Sequence, residues 1–464
     1  MAPGRSPSVP PVPNARAGLI PALGLFHATM LVMGGIIGAG IFMNPSVVAR
    51  QVHTPALILG VWILGGLVAL AGALVYAELA ARLPRTGGQY VYLREAYHPV
   101  LAFAYGWALL LVIQTGGMAA VAVIFARYFR ELTHVTMAEG AIATSALVVL
   151  TAVNCLGVRA GTAVQSFLMV AKIAIITALV LCGWLLVPVA QSLGGPVLDR
   201  PFSFDLFAAI GAAMVPVFFA YGGWQTTNFV ADEVQDPAKT LPRALLLGVA
   251  GVVLLYVAVN FVCVRVLGPR GLAETAAPAS AIMRVALGER GAGLIAAGIA
   301  ISALGFLSQS ILTAPRVYFA MASDGIFFRS VAWLHPRTRV PVVSITLQGL
   351  CAIVIALSGS YEQILNYFVS MDCLFFGLTA TCIFVFRYRD RHAGVTTGAT
   401  LPNRFRVPGH PFTTAFFVAA CWLVLASTFY KYPTNSLIGA AIVAAGIPVY
   451  FLWALARRNE EIPI

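Results

Sequence analysis

The stretch Met33–Asn44 reads MGGIIGAGIFMN and lies inside an apolar run long enough to cross a bilayer. Its glycines are Gly34, Gly35, Gly38 and Gly40. In a helix interior each glycine costs about 0.5–1 kcal/mol relative to alanine. Unwound backbone that faces lipid costs several kcal/mol per unsatisfied group. Such a stretch is therefore expected where a membrane helix breaks beside a buried aqueous site and offers N–H and C=O groups to a ligand.

A second stretch of this kind, Ala220–Trp224, reads AYGGW and also lies in an apolar context. Paired glycine-broken spans in corresponding halves of a chain indicate the binding site of a transporter. The alternative is that the glycines only allow neighbouring helices to pack closely.

The composition indicates an integral membrane protein. The chain has 464 residues, of which 60% are hydrophobic and 10% charged, and its mean hydropathy is +0.88. The net charge of +12 comes without a basic run or a stacking motif, so it favours membrane orientation over nucleic-acid binding. The seven cysteines fall in predicted spans without a CxxC motif, which predicts small buried side chains and neither a disulfide framework nor a metal site. No cofactor is expected.

The apolar runs predict an all-α membrane fold with twelve transmembrane helices. They lie at residues 23–50, 56–82, 100–127, 138–156, 163–188, 205–231, 241–267, 291–321, 340–358, 361–387, 412–431 and 435–456. The first and the sixth are the broken ones, and each begins a set of five, which predicts a 5+5 inverted repeat with two added helices.

The predicted organisation has a disordered tail at residues 1–18, a transporter domain at 19–456 and a second tail at 457–464. Within the domain the two repeats are residues 19–190 and 203–388, and helices 11 and 12 occupy 410–456. Roughly two-thirds of the 29 Lys and Arg residues fall in loops on the side of the N-terminus. This bias predicts a protein of the inner (plasma) membrane with both termini in the cytoplasm.

The two breaks predict a site for a zwitterion. Backbone N–H groups of Ile37–Ile41 at the start of the outer half-helix suit a carboxylate, because a helix N-terminus carries about half a positive charge. Carbonyls near Ile36 and Ile37, and others around Phe219–Gly222, suit an ammonium group. The predicted substrate-binding residues at the breaks are Ile37, Gly38, Ala39, Gly40, Ile41, Phe219, Ala220 and Gly222.

Lys172 is the lysine within a predicted span, in the run FLMVAKIAIITAL. A buried charge there is costly and indicates a function. Its ammonium is expected to replace a bound sodium ion by bridging carbonyls of the first broken helix to hydroxyls such as Ser308 or Ser310. Two alternatives stay open: the side chain snorkels to the interface, or it exchanges a proton during the cycle.

Asp372 lies midway along span ten, and its carboxylate either has a cationic partner or sits neutral in the core. If it is charged and in the pocket, it favours a substrate with a basic or polar side chain. The expected gate consists of Phe219, which covers the substrate, supported by Tyr221 and Trp224.

Three acidic residues at span ends are expected to have structural roles. Glu78 is expected to pair with loop arginines. Asp232 and Glu233 are expected to form a charge cluster with Lys239 and Arg243.

These stretches resemble the amino acid–polyamine–organocation (APC) superfamily and, within it, the L-amino acid transporter branch. The resemblance runs over about residues 20–455. It is carried by GGIIGAGIF, by FFAYGGWQTTNFVADEVQDPAKTLPRAL, and by PRVYFAMASDGIFF with HPRTRVP. It implies the leucine-transporter type of fold and alternating access.

The resemblance also assigns roles to residues. Substrate-binding positions carry over to Ile37, Gly38, Ala39, Gly40, Phe219, Ala220 and Gly222. Phe219 matches the aromatic gate, and Lys172 matches the lysine that stands in place of sodium in sodium-independent members.

Three departures from the pattern of the family bear on function. Ala39 replaces a Ser or Thr found in many relatives, so backbone donors must hold the carboxylate. Asp372 stands where the branch often has a neutral residue, which leaves the choice of substrate open. The loop at residues 127–140 lacks the cysteine that joins eukaryotic members to a glycoprotein subunit, so we expect a stand-alone bacterial monomer.

The sequence therefore predicts a sodium-independent transporter of L-amino acids that works as an exchanger. Proton-coupled symport of the same substrates and transport of polyamines or cationic amino acids are the alternatives. A membrane-embedded enzyme or sensor is disfavoured, because no catalytic constellation or additional domain is present.

Overall fold

The computed structural model describes residues 19–187, 196–358, 361–392 and 405–460. The disordered tail expected at residues 1–18 lies outside this range. Of the second expected tail, residues 457–460 continue the last helix, and the rest lies outside the described residues.

Sixteen α-helices form the described part of the chain. They are α1 Leu25–Ile36, α2 Gly40–Ala49, α3 Pro55–Arg82, α4 Gln89–Ala96, α5 Pro99–Ala108, α6 Gln114–Thr133, α7 Glu139–Cys155, α8 Val158–Leu185, α9 Phe204–Tyr221, α10 Pro237–Glu274, α11 Pro278–Thr313, α12 Pro315–Ser323, α13 Val342–Ser358, α14 Tyr361–His392, α15 Phe412–Lys431 and α16 Pro433–Glu460. Short 3₁₀ segments lie at Trp224–Glu233 and Arg329–Ala332, and a π-helical turn lies at Leu109–Ile113. The described residues contain no β-strand, although Leu23 and Val234 form an isolated parallel bridge.

The helices are those of a membrane protein. Within the described ranges nine are long and apolar enough to cross a bilayer, and the bent pair α1–α2 makes a tenth span. Two shorter apolar helices, Glu139–Cys155 and Val342–Leu357, accompany them. All-α membrane architecture, as predicted, is confirmed at this level.

The first interruption separates α1 from α2. Helix α1 ends at Ile36, α2 begins at Gly40, and their axes differ by 41°. The intervening Ile37 has an extended backbone with ψ 97°, which ends the helical hydrogen bonding. The break therefore lies within the glycine-rich stretch.

The second interruption lies at Gly222–Gly223, within the predicted stretch Ala220–Trp224. Phe219, Ala220 and Tyr221 are still helical, and Gly222 is extended at φ −69°, ψ 166°. Gly223 has φ +99°, a conformation that favours glycine. The chain then continues as the 3₁₀ segment rather than as an α-helix.

The two breaks are in direct contact. A Cβ atom added to Gly35 would collide with the carbonyl oxygen of Gly223, and one added to Gly223 would collide with that of Gly35. Only glycine allows the two backbones to approach so closely, so these residues bring the interrupted segments together.

The span formed by α5, the π-turn and α6 carries a third irregularity. The hydroxyl of Thr115 donates to the carbonyl of Leu110 at 2.6 Å, which satisfies an oxygen that the π-turn displaces from regular bonding. The residues at its end, Ile113 and Gln114, face the interior cavity described below.

Glu78 pairs with arginine side chains, as the sequence predicts. Its carboxylate accepts from Arg82 at 2.9 Å, from Arg387 at 2.6 Å and from the Val407 N–H at 2.7 Å. Through these bonds one buried acid joins α3, α14 and the segment before α15.

The predicted partners of Glu233, Lys239 and Arg243, are wrong. Glu233 pairs with Arg316 at 2.8 Å, and both side chains are fully buried. Lys239 pairs instead with Asp236 at 3.2 Å. The backbone explains the difference, because the 3₁₀ segment turns Glu233 inward against α12.

A polar cluster connects the segment before α9 to the start of α3. Asp199 accepts from the backbone N–H of His53 at 3.1 Å and pairs with Arg200 at 2.9 Å. The hydrogen bond from Arg200 lowers the pKa of Asp199 to about 2. The carboxylate therefore stays ionised at neutral pH and holds the two segments together.

Candidate functional site

A cavity lies where the two helix breaks meet. Its walls come from both breaks, from the end of the π-turn, from α6, from α11 and from α14. The lining residues are Gly35, Ile36, Gly38, Ala39, Gly40, Ile113, Gln114, Gly117, Val121, Ile124, Phe218, Phe219, Ala220, Gly222, Gly223, Gln225, Thr226, Phe306, Gln309, Val369, Asp372 and Cys373.

The start of α2 supplies hydrogen-bond donors to this cavity. The N–H groups of Gly40 and Ile41 precede any acceptor within the helix, and Ala39 occupies the N-cap position without a side-chain cap. The N–H of Ile37 is not available, because it donates to the carbonyl of Met33 at 2.8 Å. The side chains of Ile37 and Ile41 are buried outside the cavity, so Ile41 contributes backbone alone.

The carbonyls expected to bind an ammonium group at the first break have protein partners. Ile36 accepts from the hydroxyl of Tyr256 at 3.2 Å, and Ile37 accepts from the ammonium of Lys172. Gly38 accepts from Ser302 at 3.1 Å. The carbonyls of Ile36 and Ile37, which are predicted to hold a ligand's ammonium group, therefore each accept from a donor on α10 or α8.

The end of α9 carries further carbonyl groups beside the first break. A helix leaves its last carbonyl groups without donors from within the helix. At the end of α9, the N–H of Gly222 donates to the carbonyl of Phe219 in a long bond of 3.3 Å. Ala220 packs against Gly40, with its Cα 3.5 Å from the position of an added Cβ. The start of α2 and the end of α9 therefore face the same space with opposite partial charges.

The predicted gate residues separate into two groups. Phe219 lines the cavity beside Gly40, 3.4 Å from an added Cβ there. Tyr221 and Trp224 do not line it. Tyr221 donates to the carbonyl of Trp62 at 3.2 Å, and Trp224 stacks on Phe376 with ring centroids 5.4 Å apart. Both rings therefore belong to the packed aromatic core behind α9, and their predicted support of Phe219 stays a prediction.

Lys172 lies behind the first break and is fully buried. Its ammonium donates to the carbonyl of Ile37 and packs against Gly305 on α11, 3.0 Å from an added Cβ. No acidic side chain in the described ranges forms an ion pair with it. The buried positive charge therefore stabilises the carbonyl end of α1.

The predicted hydroxyl partners of Lys172 are wrong. The hydroxyl groups of Ser308 and Ser310 are buried without a hydrogen-bond partner among the described residues. Ser302, two turns earlier on α11 than Ser308, contacts the first break instead. The helical rotation of α11 decides this, and the sequence does not reveal it.

Asp372 lies in the wall of the cavity. Its side chain is buried, and Oδ2 lies 3.9 Å from an added Cβ on Gly222. No described residue forms an ion pair with the carboxylate. The carboxyl group therefore faces the cavity and the second break.

Several polar residues that line the cavity are not predicted from the sequence, among them Gln114, Gln225, Thr226 and Gln309. Gln309 donates to Thr226 at 2.6 Å, and Thr226 donates to the carbonyl of Gly223 at 2.7 Å. This chain of bonds fixes the second break against α11. Amide side chains within long apolar runs are the sequence feature that could have indicated these residues.

Among the residues that the structure describes, no group of three or more His, Cys, Asp or Glu side chains is placed to hold a metal ion. All seven cysteines are unpaired. The cavity therefore presents backbone donors and acceptors, amides and one carboxylate.

Comparison with known proteins identifies the family to which the chain is similar. The family model described as amino acid permease matches residues 23–453. The serine/threonine exchanger SteT of Bacillus subtilis is 29% identical over 449 residues, which cover 94% of this chain and 97% of that protein. The large neutral amino acids transporter small subunit 2 of Oryctolagus cuniculus is 29% identical, over 93% of this chain and 80% of its own length. The human b(0,+)-type amino acid transporter 1 is 28% identical, over 93% of this chain and 87% of that protein.

All of these relatives are transporters, and none is an enzyme. The match covers nearly the whole chain, including both helix breaks, Lys172 and Asp372. The chain therefore belongs to the amino acid permease family, in the L-amino acid transporter branch of the APC superfamily.

Proposed function

We propose that this protein is a sodium-independent amino acid exchanger that works by alternating access. The observation that carries the proposal is the bond from the ammonium of Lys172 to the carbonyl of Ile37 at the first helix break. One relative is a serine/threonine exchanger, which supports exchange as the transport mechanism.

The proposed binding mode uses both helix ends. The substrate's carboxylate binds the N–H groups of Ala39, Gly40 and Ile41, where the α2 dipole is positive. Its α-ammonium binds the carbonyls of Phe219 and Ala220 at the negative end of α9. Phe219 covers the bound substrate from the side of α9. Gly38 and Gly222 leave the backbone open for this contact.

Lys172 accounts for sodium independence in this proposal. A cation is needed at the carbonyl end of α1, and a covalently attached ammonium supplies it without an ion from solution. Because this cation cannot cross with the substrate, no sodium gradient drives the cycle. The outward movement of one amino acid then provides the driving force for the inward movement of another.

We infer the remaining architecture from the fold. Counting the two shorter apolar helices as spans gives twelve, with the breaks in the first and sixth. The proposed inverted repeats are residues 19–190 and 203–388, with both termini in the cytoplasm. The missing cysteine between α6 and α7 supports a monomer without a disulfide-linked partner.

Counterflow in proteoliposomes tests the proposal. Vesicles that contain the purified protein are loaded with an unlabelled mixture of the twenty amino acids, and uptake of each labelled amino acid is followed. We expect uptake only when amino acid is present inside, and no change when choline replaces sodium outside. Equal uptake into empty vesicles under a sodium gradient would contradict the proposal.

Proton-coupled symport is the second candidate, because the buried ammonium of Lys172 at the first break carries an ionisable proton and has no acidic partner in the described part of the chain. The same vesicles separate the two mechanisms. Symport predicts concentrative uptake into empty vesicles when the outside is made acidic, whereas exchange predicts none.

A further inference from the structure

The end of α9 and Asp372 form a strongly electronegative corner of the cavity. The carbonyl oxygens of Phe218 and Phe219 each lie 3.5 Å from the position of an added Cβ on Gly222. Oδ2 of Asp372 lies 3.9 Å from the same point. Three oxygens, one of them from a carboxylate, therefore surround the open backbone of Gly222.

No described protein cation neutralises this corner. Asp372 is 9% exposed and forms no ion pair with a described residue. Lys172 is committed to Ile37 and packs on Gly305 of α11. Arg387, on the same helix as Asp372, pairs with Glu78 four turns away.

An unpaired carboxylate in such a place is costly. Removing an ion from water costs several kcal/mol unless a partner of opposite charge compensates. The C-terminal carbonyls of α9 add to the negative potential rather than relieving it. The cost is relieved either by a proton on the carboxyl group or by a positive charge that enters the cavity.

A neutral amino acid does not supply this charge. Its carboxylate and α-ammonium balance each other between α2 and α9, which leaves Asp372 uncompensated. An amino acid with a cationic side chain brings one additional positive charge. The charge balance thus distinguishes the two substrate classes.

The rest of the wall fits the stem of such a side chain. Ile113, Val121, Ile124 and Val369 line the same cavity with apolar surface. Lysine and arginine bury their methylene groups along apolar surface while the charged end meets a polar group.

We propose that Asp372 and the Phe218 carbonyl form a cation subsite that selects L-amino acids with an ammonium or guanidinium group on an aliphatic stem. This inference rests on the proposed function, because it places the amino acid backbone at the two breaks. Asp372 is the specificity-determining residue, and it contacts the side chain rather than the α-ammonium.

The test compares L-lysine with L-norleucine, which has the same four-carbon stem without the ammonium. Each is used as a competitor of a labelled amino acid in counterflow. In the wild type we expect lysine to inhibit at a concentration at least tenfold below that of norleucine. In Asp372→Asn this ratio is expected to fall to about two or less, with inhibition by norleucine retained.

The matched control is Asp205→Asn, which removes an exposed carboxylate from the first turn of α9 and should keep the wild-type ratio. A wild type that binds norleucine as well as lysine overturns the proposal. An equal loss of both competitors in Asp372→Asn also overturns it, because the carboxylate would then bind the α-ammonium.

A second measurement uses the wild type alone, so the test does not depend on the folding of Asp372→Asn. We expect lysine to raise the thermal unfolding midpoint of the purified protein more than norleucine does, and the reverse order overturns the subsite. Failure to exchange any amino acid rejects the proposed function, whereas exchange without a preference for lysine rejects only the subsite.

Discussion

Single residues at the first break bear most of the proposed mechanism. Lys172 and Ser302 hold carbonyl oxygens of Ile37 and Gly38, so the end of α1 has fixed partners. The backbone of α2 remains free for a carboxylate. A change at Lys172 should therefore affect transport more than folding.

We expect Lys172→Ala to lower the rate of counterflow at least tenfold, because the Ile37 carbonyl loses its cation. The measurement is initial uptake in proteoliposomes with equal amounts of folded protein, checked by size-exclusion chromatography. Lys431→Ala, which removes a lysine at the end of α15, is the control and should retain wild-type uptake. Near-normal uptake by Lys172→Ala would remove this residue from the mechanism.

At the scale of the elements, the two interrupted spans depend on glycine at their contact. Gly223 combines φ +99° with direct contact to the backbone of Gly35. A side chain there meets both conformational strain and a backbone atom that cannot move aside.

Gly223→Ala is expected to abolish counterflow and to lower the thermal unfolding midpoint, because the second break cannot keep its place against the first. The control is Gly60→Ala in α3, where an added Cβ meets nothing within 4 Å. That change should leave uptake unchanged and stabilise the helix by about 0.5–1 kcal/mol. The same outcome for both variants would show that the contact between the breaks is unimportant.

The two glycine clusters predict where the helices break, because they interrupt apolar runs in corresponding halves of the chain. The roles of Tyr221 and Trp224 could not be predicted, since an aromatic side chain next to a break packs inward or outward according to its neighbours on α3 and α14. For a similar reason the sequence predicts Ser308 as a partner at the first break, where the structure places Ser302. Both lie on α11, and only its rotation against α1 decides which hydroxyl reaches the break.

For the whole molecule, the buried pair Glu233–Arg316 connects the segment after the second break to α12. The N–H groups of Ala22 and Leu23 donate to the carbonyl of Glu233, each at 2.9 Å. One residue thus joins the entry to α1, the end of the 3₁₀ segment and α12.

Arg316→Met should destabilise the protein by about 3–5 kcal/mol, because it leaves Glu233 buried without a counter-charge. The measurement is unfolding in detergent followed by tryptophan fluorescence. The double variant Glu233→Gln with Arg316→Met should regain part of the loss, since no charge remains unpaired. Arg284→Met breaks an exposed pair with Glu289 and should cost less than about 1 kcal/mol. Equal effects of the buried and exposed changes would contradict this account.

The attachment of the Lys172 ammonium to the chain has a consequence for the cell, if the protein works as proposed. An exchanger returns to its starting state only by carrying another amino acid back. It therefore changes the composition of the intracellular pool and leaves its total size constant. Nutrition through such a protein depends on synthesis, or on a separate uptake system, to keep one abundant amino acid ready to leave.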